Sequence, residues 1–239
     1  MKIVISQPML FPWVGLLEQV RQSDVFVHYS DVQFSKGSFT NRVQIKTAQG
    51  SRWLSVPLSG LSLGQSIDQV RLDRQRGWRR QHRALLEQAY AAAPFRGDML
   101  ALVDEVYAVG CTTIAELSEH SLLAVCRYFG LDNGTRFLDA AALGVPGAGS
   151  QRVLGIVRAL GGDRYITGLG ARHYLDHEVF ERAGVSVEYM NYRRLPYPQL
   201  HGDFTPYVSS LDLVANCGKR GVNYLQSGTL AWREFLQHE

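Results

Sequence analysis

The sequence predicts an α/β fold with a mixed or mostly parallel sheet, an inserted β-hairpin and a helical layer or subdomain from about residue 77 to 130. Three patterns indicate this. Strand-like and helix-like segments alternate at both ends of the chain, two strand-like segments share a short connection, and helical spacing dominates the middle. With 239 residues, of which 46% are hydrophobic, the chain can bury one sizeable core. We therefore expect a single α/β domain over residues 1–239.

The first predicted unit is a strand, a helix and a second strand within residues 2–29. The β-branched run at residues 2–5 ends at Gln7, because the proline that follows disfavours helix there and Pro8 itself has no backbone donor. Residues 13–22 carry apolar side chains at helical spacing, and residues 24–29 return to strand composition. Such a unit places its two strands in parallel.

The remaining elements follow from periodicity and end signals. Residues 41–47 and 52–58 predict a hairpin with a connection over 48–51. A capping box of Thr112 or Thr113 with Glu116 begins one helix, which ends at Gly130. The other expected elements are helices over 78–93, 96–108, 113–129, 150–160 and 209–217, strands over 165–168 and 185–192, and a loop over 195–206.

Several classes of protein are excluded by what the sequence lacks. No apolar run approaches the roughly 20 residues that span a bilayer, so we expect no membrane span and a cytoplasmic location. Three widely spaced cysteines indicate neither a disulfide framework nor a zinc knuckle. The chain has no G-x-S-x-G motif and no Walker A motif, which removes support for hydrolase and P-loop functions. No cofactor is indicated.

Candidate ligand contacts begin at the end of the first predicted strand. In open α/β sheets ligands bind at the carboxyl edge, where helix N-termini supply N–H groups and positive potential. The loop over residues 6–15 lies at this edge, and it predicts substrate contacts at Gln7, Pro8 and Trp13. The alternative is a proline-shaped loop in which Trp13 fills the core.

The densest polar cluster follows the second predicted strand, over residues 29–42. Lys36 and Arg42 suit an anionic group such as phosphate, and Asp31 suits a general base or an orienting carboxylate. We predict Asp31 and Lys36 as catalytic residues, with Gln33, Asn41 and Arg42 as substrate contacts. The alternative is an ordinary turn with exposed cations.

Two later loops supply further candidates. The glycine-containing loop before the helix at 150–160 predicts phosphate contacts at Ser150 and Arg152. In the segment 168–177, His173 is a candidate catalytic residue and Tyr174 a candidate substrate contact. His173 and His177 are four residues apart, which would place both on one helix face, but they form no HExxH motif and lack a third ligand, so no metal site is predicted.

Six arginines fall within thirteen positions from Arg71 to Arg83. Clustered guanidinium groups can bind nucleic acid or an anionic substrate tail, and Trp78 in the same segment could stack on a base. The formal net charge of only +3 favours a solvent-exposed basic helix instead. Nucleic acid therefore remains the weaker alternative.

The blocks SQPMLFPWVG, DVQFSKGSFTNRVQIK, WLSVPL, SQRVLGIVRALG, YITGLGARHYLD and PYPQ resemble the WbqC-like family, which is found in bacterial surface-polysaccharide gene clusters. The resemblance implies a role in decorating amino sugars of glycans such as O-antigen, with aminoacyl transfer as one reaction. It implies no set of catalytic residues.

The first unit also resembles the start of the HIGH-motif nucleotidyltransferase and synthetase superfamily, but its loop reads FPWVG and has no histidine. We hypothesise an acyl- or aminoacyl-transferase acting on a nucleotide- or lipid-linked amino sugar. Its expected partners are an anionic small molecule or nucleotide-sugar substrate and an aminoacyl donor. The alternatives are a non-catalytic module that binds a nucleotide sugar or glycan intermediate, and a nucleotidyltransferase-like enzyme.

Overall fold

A computed structural model describes residues 1–74 and 77–237. The strands are β1 (Lys2–Ser6), β2 (Val25–His28), β3 (Arg42–Thr47), β4 (Gly50–Ser55), β5 (Leu58–Ser59), β6 (Arg71–Leu72), β7 (Arg136–Asp139), β8 (Arg164–Thr167), β9 (Ser186–Asn191) and β10 (Gly228–Ala231). The α-helices are α1 (Val14–Gln22), α2 (Trp78–Ala89), α3 (Arg96–Ala108), α4 (Ile114–Phe129), α5 (Gly149–Ala159), α6 (His177–Arg182), α7 (Ser210–Cys217) and α8 (Trp232–Gln237).

The central sheet has six strands in the order β10-β9-β8-β1-β2-β7. Neighbouring strands from β9 to β7 are all parallel, and β10 pairs antiparallel with β9 at one edge. If the parallel strands are numbered along the chain, their spatial order from β7 to β9 reads 3-2-1-4-5. The predicted α/β fold with a mostly parallel sheet, a separate hairpin and several helices is confirmed.

Both faces of the sheet are covered, as expected for parallel strands. Successive side chains of a strand point to opposite faces, so Val4 and Phe26 join one core whereas Ile3 and Val25 join the other. The first core also contains buried residues of α2, α3 and α4, so the predicted helical layer shares its core with the sheet. The division of this layer into a subdomain stays a prediction.

The hairpin of β3 and β4 has a shorter turn than the sequence predicts. Thr47 pairs with Gly50, which leaves only Ala48 and Gln49 in the turn. The Thr47 hydroxyl donates to the Gly50 carbonyl oxygen at 2.8 Å and accepts from the Gln49 amide at 3.2 Å. This side chain closes the turn, and Gly50 takes the positive φ of 99° that the turn requires.

Helix ends agree with the sequence where a local motif specifies them. The capping box of Thr113 and Glu116 begins α4, and Gly130 ends it with a φ of 70°. Helix α2 stops at Ala89, four residues before the predicted end, because Tyr90 leaves the helix and donates its hydroxyl to Asp212 at 2.9 Å. No α-helix in the described part of the chain is long and apolar enough to cross a membrane.

The three cysteines are buried and free. Burial raises the pKa of each thiol, that of Cys217 to about 11. A thiol that stays protonated at neutral pH is a poor nucleophile, so the structure gives these side chains a packing role.

Candidate functional site

A cleft of about 760 Å³ opens where the parallel strands end. Strand order reverses between β1 and β8, since the chain places β2 on one side of β1 and β8 on the other. Ligands of open α/β sheets bind in the crevice at such a reversal. The cleft is lined by Ile5, Ser6, Gln7, Met9, Gln19, Tyr29, Asp31, Val32, Gln33, Gly147, Ala148, Gly149, Arg152, Val153, Tyr165, Thr167, Gly168, Gly170, Ala171 and Tyr174.

An ion pair between Arg152 and Asp31 joins two walls of the cleft. The Arg152 guanidinium donates to Asp31 Oδ2 and to the Val145 carbonyl oxygen, the latter at 3.0 Å. It also lies over the Tyr29 ring, 5.0 Å from the ring centre. The hydrogen bond to Asp31 raises the pKa of Arg152. Asp31 Oδ1 is buried and has no hydrogen-bond partner among the described residues, so it can accept from a ligand.

The N-terminus of α5 faces the same cleft through the glycine-containing loop that precedes it. Gly147 and Gly149 have φ angles of 103° and 56°, which favour glycine. The first turn of any α-helix leaves backbone N–H groups without intrahelical partners, and these groups carry partial positive charge. Together with Arg152, this loop gives the cleft the chemistry to hold an anionic group such as a phosphate.

Aromatic and amide side chains complete the walls. Tyr29, Tyr165 and Tyr174 line the cleft, and Tyr174 is 66% exposed at its rim. Gln19 reaches the cleft from α1 and donates to the Tyr192 hydroxyl at 2.7 Å. A Cβ atom at Gly168 would lie 3.2 Å from Gln19 Nε2, so glycine gives this amide its room. Tyrosine rings can stack on the face of a base or sugar, and a glutamine amide can hydrogen-bond to its polar edge.

Five of the twelve sequence-predicted site residues meet in this cleft. They come from three loops and one helix: Gln7 after β1, Asp31 and Gln33 after β2, Tyr174 after β8, and Arg152 in α5. The two predicted regions are therefore opposite walls of one cleft, joined by the contact of Asp31 with Arg152.

The other residues predicted in the 29–42 segment lie outside the cleft lining. Lys36 is exposed. The Asn41 amide donates to the Val56 carbonyl oxygen at 3.1 Å and holds the start of the hairpin. Arg42 donates to the Gly37 carbonyl oxygen and stacks on Trp53. A positive φ of 79° at Gly37 turns the chain at this point. The roles predicted for these residues stay predictions.

The remaining candidates are also displaced from the lining. Trp13 packs against Tyr192, with ring centres 4.9 Å apart, and Pro8 is buried. The Ser150 hydroxyl accepts from the Asp176 amide at 2.9 Å and fixes the loop after β8 to α5. His173 is exposed and accepts from Arg172 Nε at 2.9 Å. The proximity of these residues to the cleft supports a positioning role more directly than a ligand contact.

The expectation that His173 and His177 share a helix face is wrong. His173 ends a 3-10 turn, whereas His177 begins α6. Asp176 separates the two because its side chain caps α6 by accepting from the Val179 amide at 3.3 Å. Within residues 1–74 and 77–237, no group of three His, Cys, Asp or Glu side chains is arranged to hold a metal ion.

The arginine-rich segment is divided between ion pairs and solvent. Arg83 pairs with Asp104 at 2.9 Å and with Glu87 at 3.1 Å. Arg71, Arg74 and Arg80 are exposed, and Arg76 lies outside the described residues. The expected solvent exposure agrees with this arrangement, but the segment is not one helix, because Arg71 lies in β6 and Arg74 precedes α2.

Sequence reasoning missed Gln19, Thr167 and Gly168 as cleft residues. Thr167 and Gly168 end a strand that the sequence does predict, so the carboxyl-edge rule could have found them. Gln19 lies within an apolar helix, and its contact with Tyr192 spans 173 residues. Nothing in the local pattern marks that contact.

A carboxyl group beside the cleft has an unusual proton affinity. Glu119 on α4 is hydrogen-bonded to Ser30, the residue before Asp31. Burial, followed by the charges of Asp139 and Glu116, raises the pKa of Glu119 to about 7. His28, on the strand that leads to Ser30, has its pKa lowered to about 4 by burial. The interior behind the cleft therefore disfavours both the negatively charged form of Glu119 and the positively charged form of His28.

Replacing Glu119 with glutamine should change how stability depends on pH. Folding raises the pKa of Glu119 from 4.5, so the folded state binds more protons and its stability falls as the pH rises toward about 7. The buried His28 opposes this, since its lowered pKa makes stability rise with pH between about 4 and 6.5. We expect Glu119→Gln to gain stability relative to the parent as the pH rises from 5 to 7.5.

The measurement is the urea midpoint of the two proteins at several pH values. Glu105→Gln, on an exposed helical site, is the control for a general effect of removing one negative charge. A difference between Glu119→Gln and the parent that stayed constant with pH would contradict the raised pKa.

Three comparisons place the chain among known proteins. A profile of the WbqC-like protein family matches residues 7–224. A protein of Mycobacterium tuberculosis (strain ATCC 25618 / H37Rv), described as "Uncharacterized protein Rv1507c", is 30% identical over 228 residues, which cover 94% of this chain and 97% of that protein. No solved structure matches.

Proposed function

The chain belongs to the WbqC-like protein family, and from the cleft we propose that it transfers an acyl or aminoacyl group to a nucleotide- or lipid-linked amino sugar in bacterial glycan biosynthesis. The observation that carries the proposal is the position of the cleft at the strand-order reversal, with a helix N-terminus and Arg152 on one wall and Asp31 on the other. That combination suits a ligand with both a phosphate and an amine.

The phosphate end of the substrate lies at the N-terminus of α5. Backbone N–H groups of this first turn and the Arg152 guanidinium supply donors and positive charge. Arg152 is held at Nε by the Val145 carbonyl oxygen, so its fork is fixed before a ligand arrives. A fixed donor loses little conformational entropy on binding. The tyrosines of the cleft then pack on the base or the sugar ring.

The amino group of the sugar lies against Asp31. Its nitrogen donates a hydrogen bond to Asp31 Oδ1, the buried oxygen that lacks a protein partner. The nitrogen attacks the carbonyl carbon of the activated acyl group, and the new C–N bond replaces the bond from that carbon to the leaving oxygen or sulfur. The leaving atom keeps the electron pair, and the proton released by nitrogen passes to Asp31 Oδ1.

Asp31 is assigned this role because it is the acidic residue of the cleft lining. Lys36 and His173, the other predicted catalytic residues, lie outside the lining and would have to approach the substrate by loop movement. Arg152 compensates the charge of Asp31 and leaves one carboxylate oxygen for the amine.

The test is incubation of the full chain with nucleotide-linked amino sugars and activated amino acids, followed by mass spectrometry of the sugar nucleotide. We expect a mass gain equal to one acyl residue. Asp31→Asn should slow the reaction by about 100-fold or more, the usual contribution of a general base. Asp104→Asn, an exposed carboxylate paired with Arg83, should react at the parent rate.

The proposal fails if no combination gives a mass gain and Asp31→Asn leaves glycan assembly intact in cells. A non-catalytic nucleotide-sugar module is the second candidate, and the ion pair of Asp31 favours it, because Asp31 Oδ2 is already bound to Arg152. That candidate predicts saturable binding without a mass gain, and binding that survives Asp31→Asn.

A further inference from the structure

The segment between Asp31 and Asp68 carries only positive charge. Its 36 residues include Lys36, Arg42, Lys46 and Arg52 but no aspartate or glutamate. At the chain average of 22 acidic residues in 239, about three would be expected in this length. Lys36 and Arg52 are exposed. Lys46 is buried and Arg42 is bound to the Gly37 carbonyl oxygen, so the charge that this segment presents to solvent comes from Lys36 and Arg52. An anionic partner fits that charge.

A short loop in this segment presents two leucines to solvent. Leu63 is 100% exposed and Leu61 is 40% exposed. Gly60 and Gly64 bracket them with φ angles of 64° and 81°. We call residues 60–64 the leucine loop.

The leucine loop is held in shape from its C-terminal side. The Ser62 amide donates to Gln65 Oε1 at 3.2 Å, and Gln65 Nε2 donates to the Gln69 carbonyl oxygen at 2.9 Å. These hydrogen bonds hold the loop in a shape that leaves both leucines in contact with water. Exposed in this way, they do not contribute the free energy that burial of an apolar side chain would give. Such exposure indicates a partner surface.

The hairpin adds an aromatic pair in the same stretch of the chain. Phe39 and Trp53 are 49% and 40% exposed, with ring centres 5.7 Å apart. The Arg42 guanidinium lies 4.2 Å from the centre of the Trp53 ring. Among the nine large apolar side chains that are exposed in the described part of the chain, four fall between residues 39 and 63.

The segment over residues 33–38 links the two features to each other and to the cleft. The Phe34 amide donates to the Gln65 carbonyl oxygen at 2.9 Å, and Gln33 forms a bridge with Ser66. Gln33 also lines the cleft. The leucine loop is thus fixed beside one wall of the proposed active site.

We propose that the leucine loop, together with Phe39, Trp53 and Lys36, docks on the surface of an anionic phospholipid bilayer. Aliphatic and aromatic side chains enter the interface between headgroups and acyl chains, and the cations bind anionic headgroups. A nucleic acid would use Trp53 and the cations but would give Leu61 and Leu63 no partner, so the leucines favour the bilayer.

This docking does not depend on the proposed transfer reaction. If that reaction uses a lipid-linked acceptor, docking brings the cleft to the membrane that carries the acceptor. A sugar carried on a membrane lipid would arrive at the wall formed by Gln33. A nucleotide-linked acceptor would need no such surface.

The test is flotation of the full chain with vesicles of phosphatidylcholine alone, or of phosphatidylcholine with about one third phosphatidylglycerol. We expect binding to the anionic vesicles, little binding to the neutral ones, and weaker binding as salt increases. Vesicle binding should also shift tryptophan emission to shorter wavelength as Trp53 enters the interface.

Two variants separate the apolar and the charged contributions. Leu61→Ser with Leu63→Ser should lower the partition coefficient at least about tenfold, since two exposed leucines no longer enter the interface. Lys36→Gln should weaken binding to anionic vesicles and leave the low level of binding to neutral vesicles unchanged. Leu236→Ser, which changes a leucine that is 41% exposed on α8, is the matched control and should bind like the parent.

Absence of binding to anionic vesicles would overturn the proposal, as would binding that is indifferent to the leucine substitutions. Salt-sensitive binding of single-stranded RNA without any vesicle binding would also overturn it and assign the surface to nucleic acid. Vesicle binding without acyl transfer would leave the docking intact and remove the proposed function.

Discussion

Asp212→Ala is expected to lower the free energy of unfolding by about 3 to 5 kcal/mol, the usual cost of removing one member of a buried charged network. Asp212 is completely buried. Its carboxylate accepts from the hydroxyls of Tyr90 and Tyr197, both at 2.9 Å, and from Gln199 Nε2 at 2.8 Å. Alanine would leave the two buried tyrosine hydroxyls without an acceptor, whereas Gln199 Nε2 would keep the Thr205 carbonyl oxygen at 3.1 Å.

The same network holds a buried ammonium group. Lys46 Nζ donates to Gln199 Oε1 at 3.0 Å and to the Gly202 carbonyl oxygen at 3.1 Å, so Gln199 connects Lys46 to Asp212. Loss of Asp212 therefore removes one acceptor of Gln199, which keeps its hydrogen bonds to Thr205, and weakens the compensation of the Lys46 charge. Burial raises the pKa of Asp212, whereas the hydrogen bonds from Gln199, Tyr197 and Tyr90 and the charge of Lys46 act to lower it.

Urea unfolding and thermal denaturation measure the effect, and we expect the melting temperature to fall by roughly 10 °C. Asp203→Ala is the control, because Asp203 is exposed and contacts Lys46 through its backbone carbonyl oxygen. It should change stability by no more than about 0.5 kcal/mol. A loss below about 1 kcal/mol for Asp212→Ala would contradict the importance of the network.

The Asp212 network also shows what a single sequence cannot convey. The sequence predicts a short helix over 209–217 around Asp212, and the structure has α7 there (Ser210–Cys217). Its partner Tyr90 lies 122 residues away, at the end of another helix. Helix α2 ends at Ala89, before Tyr90, whose hydroxyl binds Asp212. The predicted end of that helix was wrong because this long-range contact is not visible in the local sequence.

Local signals were sufficient for the first unit of the fold. Proline after Gln7, the apolar spacing of α1 and the β-branched composition of β2 are each contained within a few residues, and the parallel pairing follows from them. Strand β7 was missed because its four residues, Arg136–Asp139, include a charge at each end and lie at the edge of the sheet. Only pairing with β2 identifies them as a strand.

For the candidate site, the carboxyl-edge rule predicted where the cleft lies but not which residues line it. The sequence places Asp31 in the loop after the second strand and Arg152 at the start of the helix at 150–160, and the sheet order brings them into contact across 121 residues. Closeness in sequence was the poorer guide. Lys36 and Arg42 belong to the same predicted segment, 29–42, as Asp31, yet they lie outside the cleft lining. The turn at Gly37 and the stacking of Arg42 on Trp53 direct that part of the chain toward the hairpin.

Arg152→Ala should weaken binding of a nucleoside diphosphate or nucleotide sugar by about 10-fold to 100-fold, the range that corresponds to one or two charge-assisted hydrogen bonds. Arg152→Lys should recover only part of this, because an ammonium group cannot reach Val145 and Asp31 with the geometry of the guanidinium fork. Isothermal titration with nucleoside diphosphates measures both variants.

Arg152→Ala also leaves the Asp31 carboxylate without its partner, so a loss of binding could follow from a loss of folding. The double variant Asp31→Asn with Arg152→Met separates the two, because it removes both charges together and keeps the apolar stem of the arginine. We expect its urea midpoint to return toward that of the parent while its affinity for nucleoside diphosphates stays low. If affinity returned together with stability, Arg152 would serve only to neutralise Asp31, and the phosphate would have to bind elsewhere in the cleft.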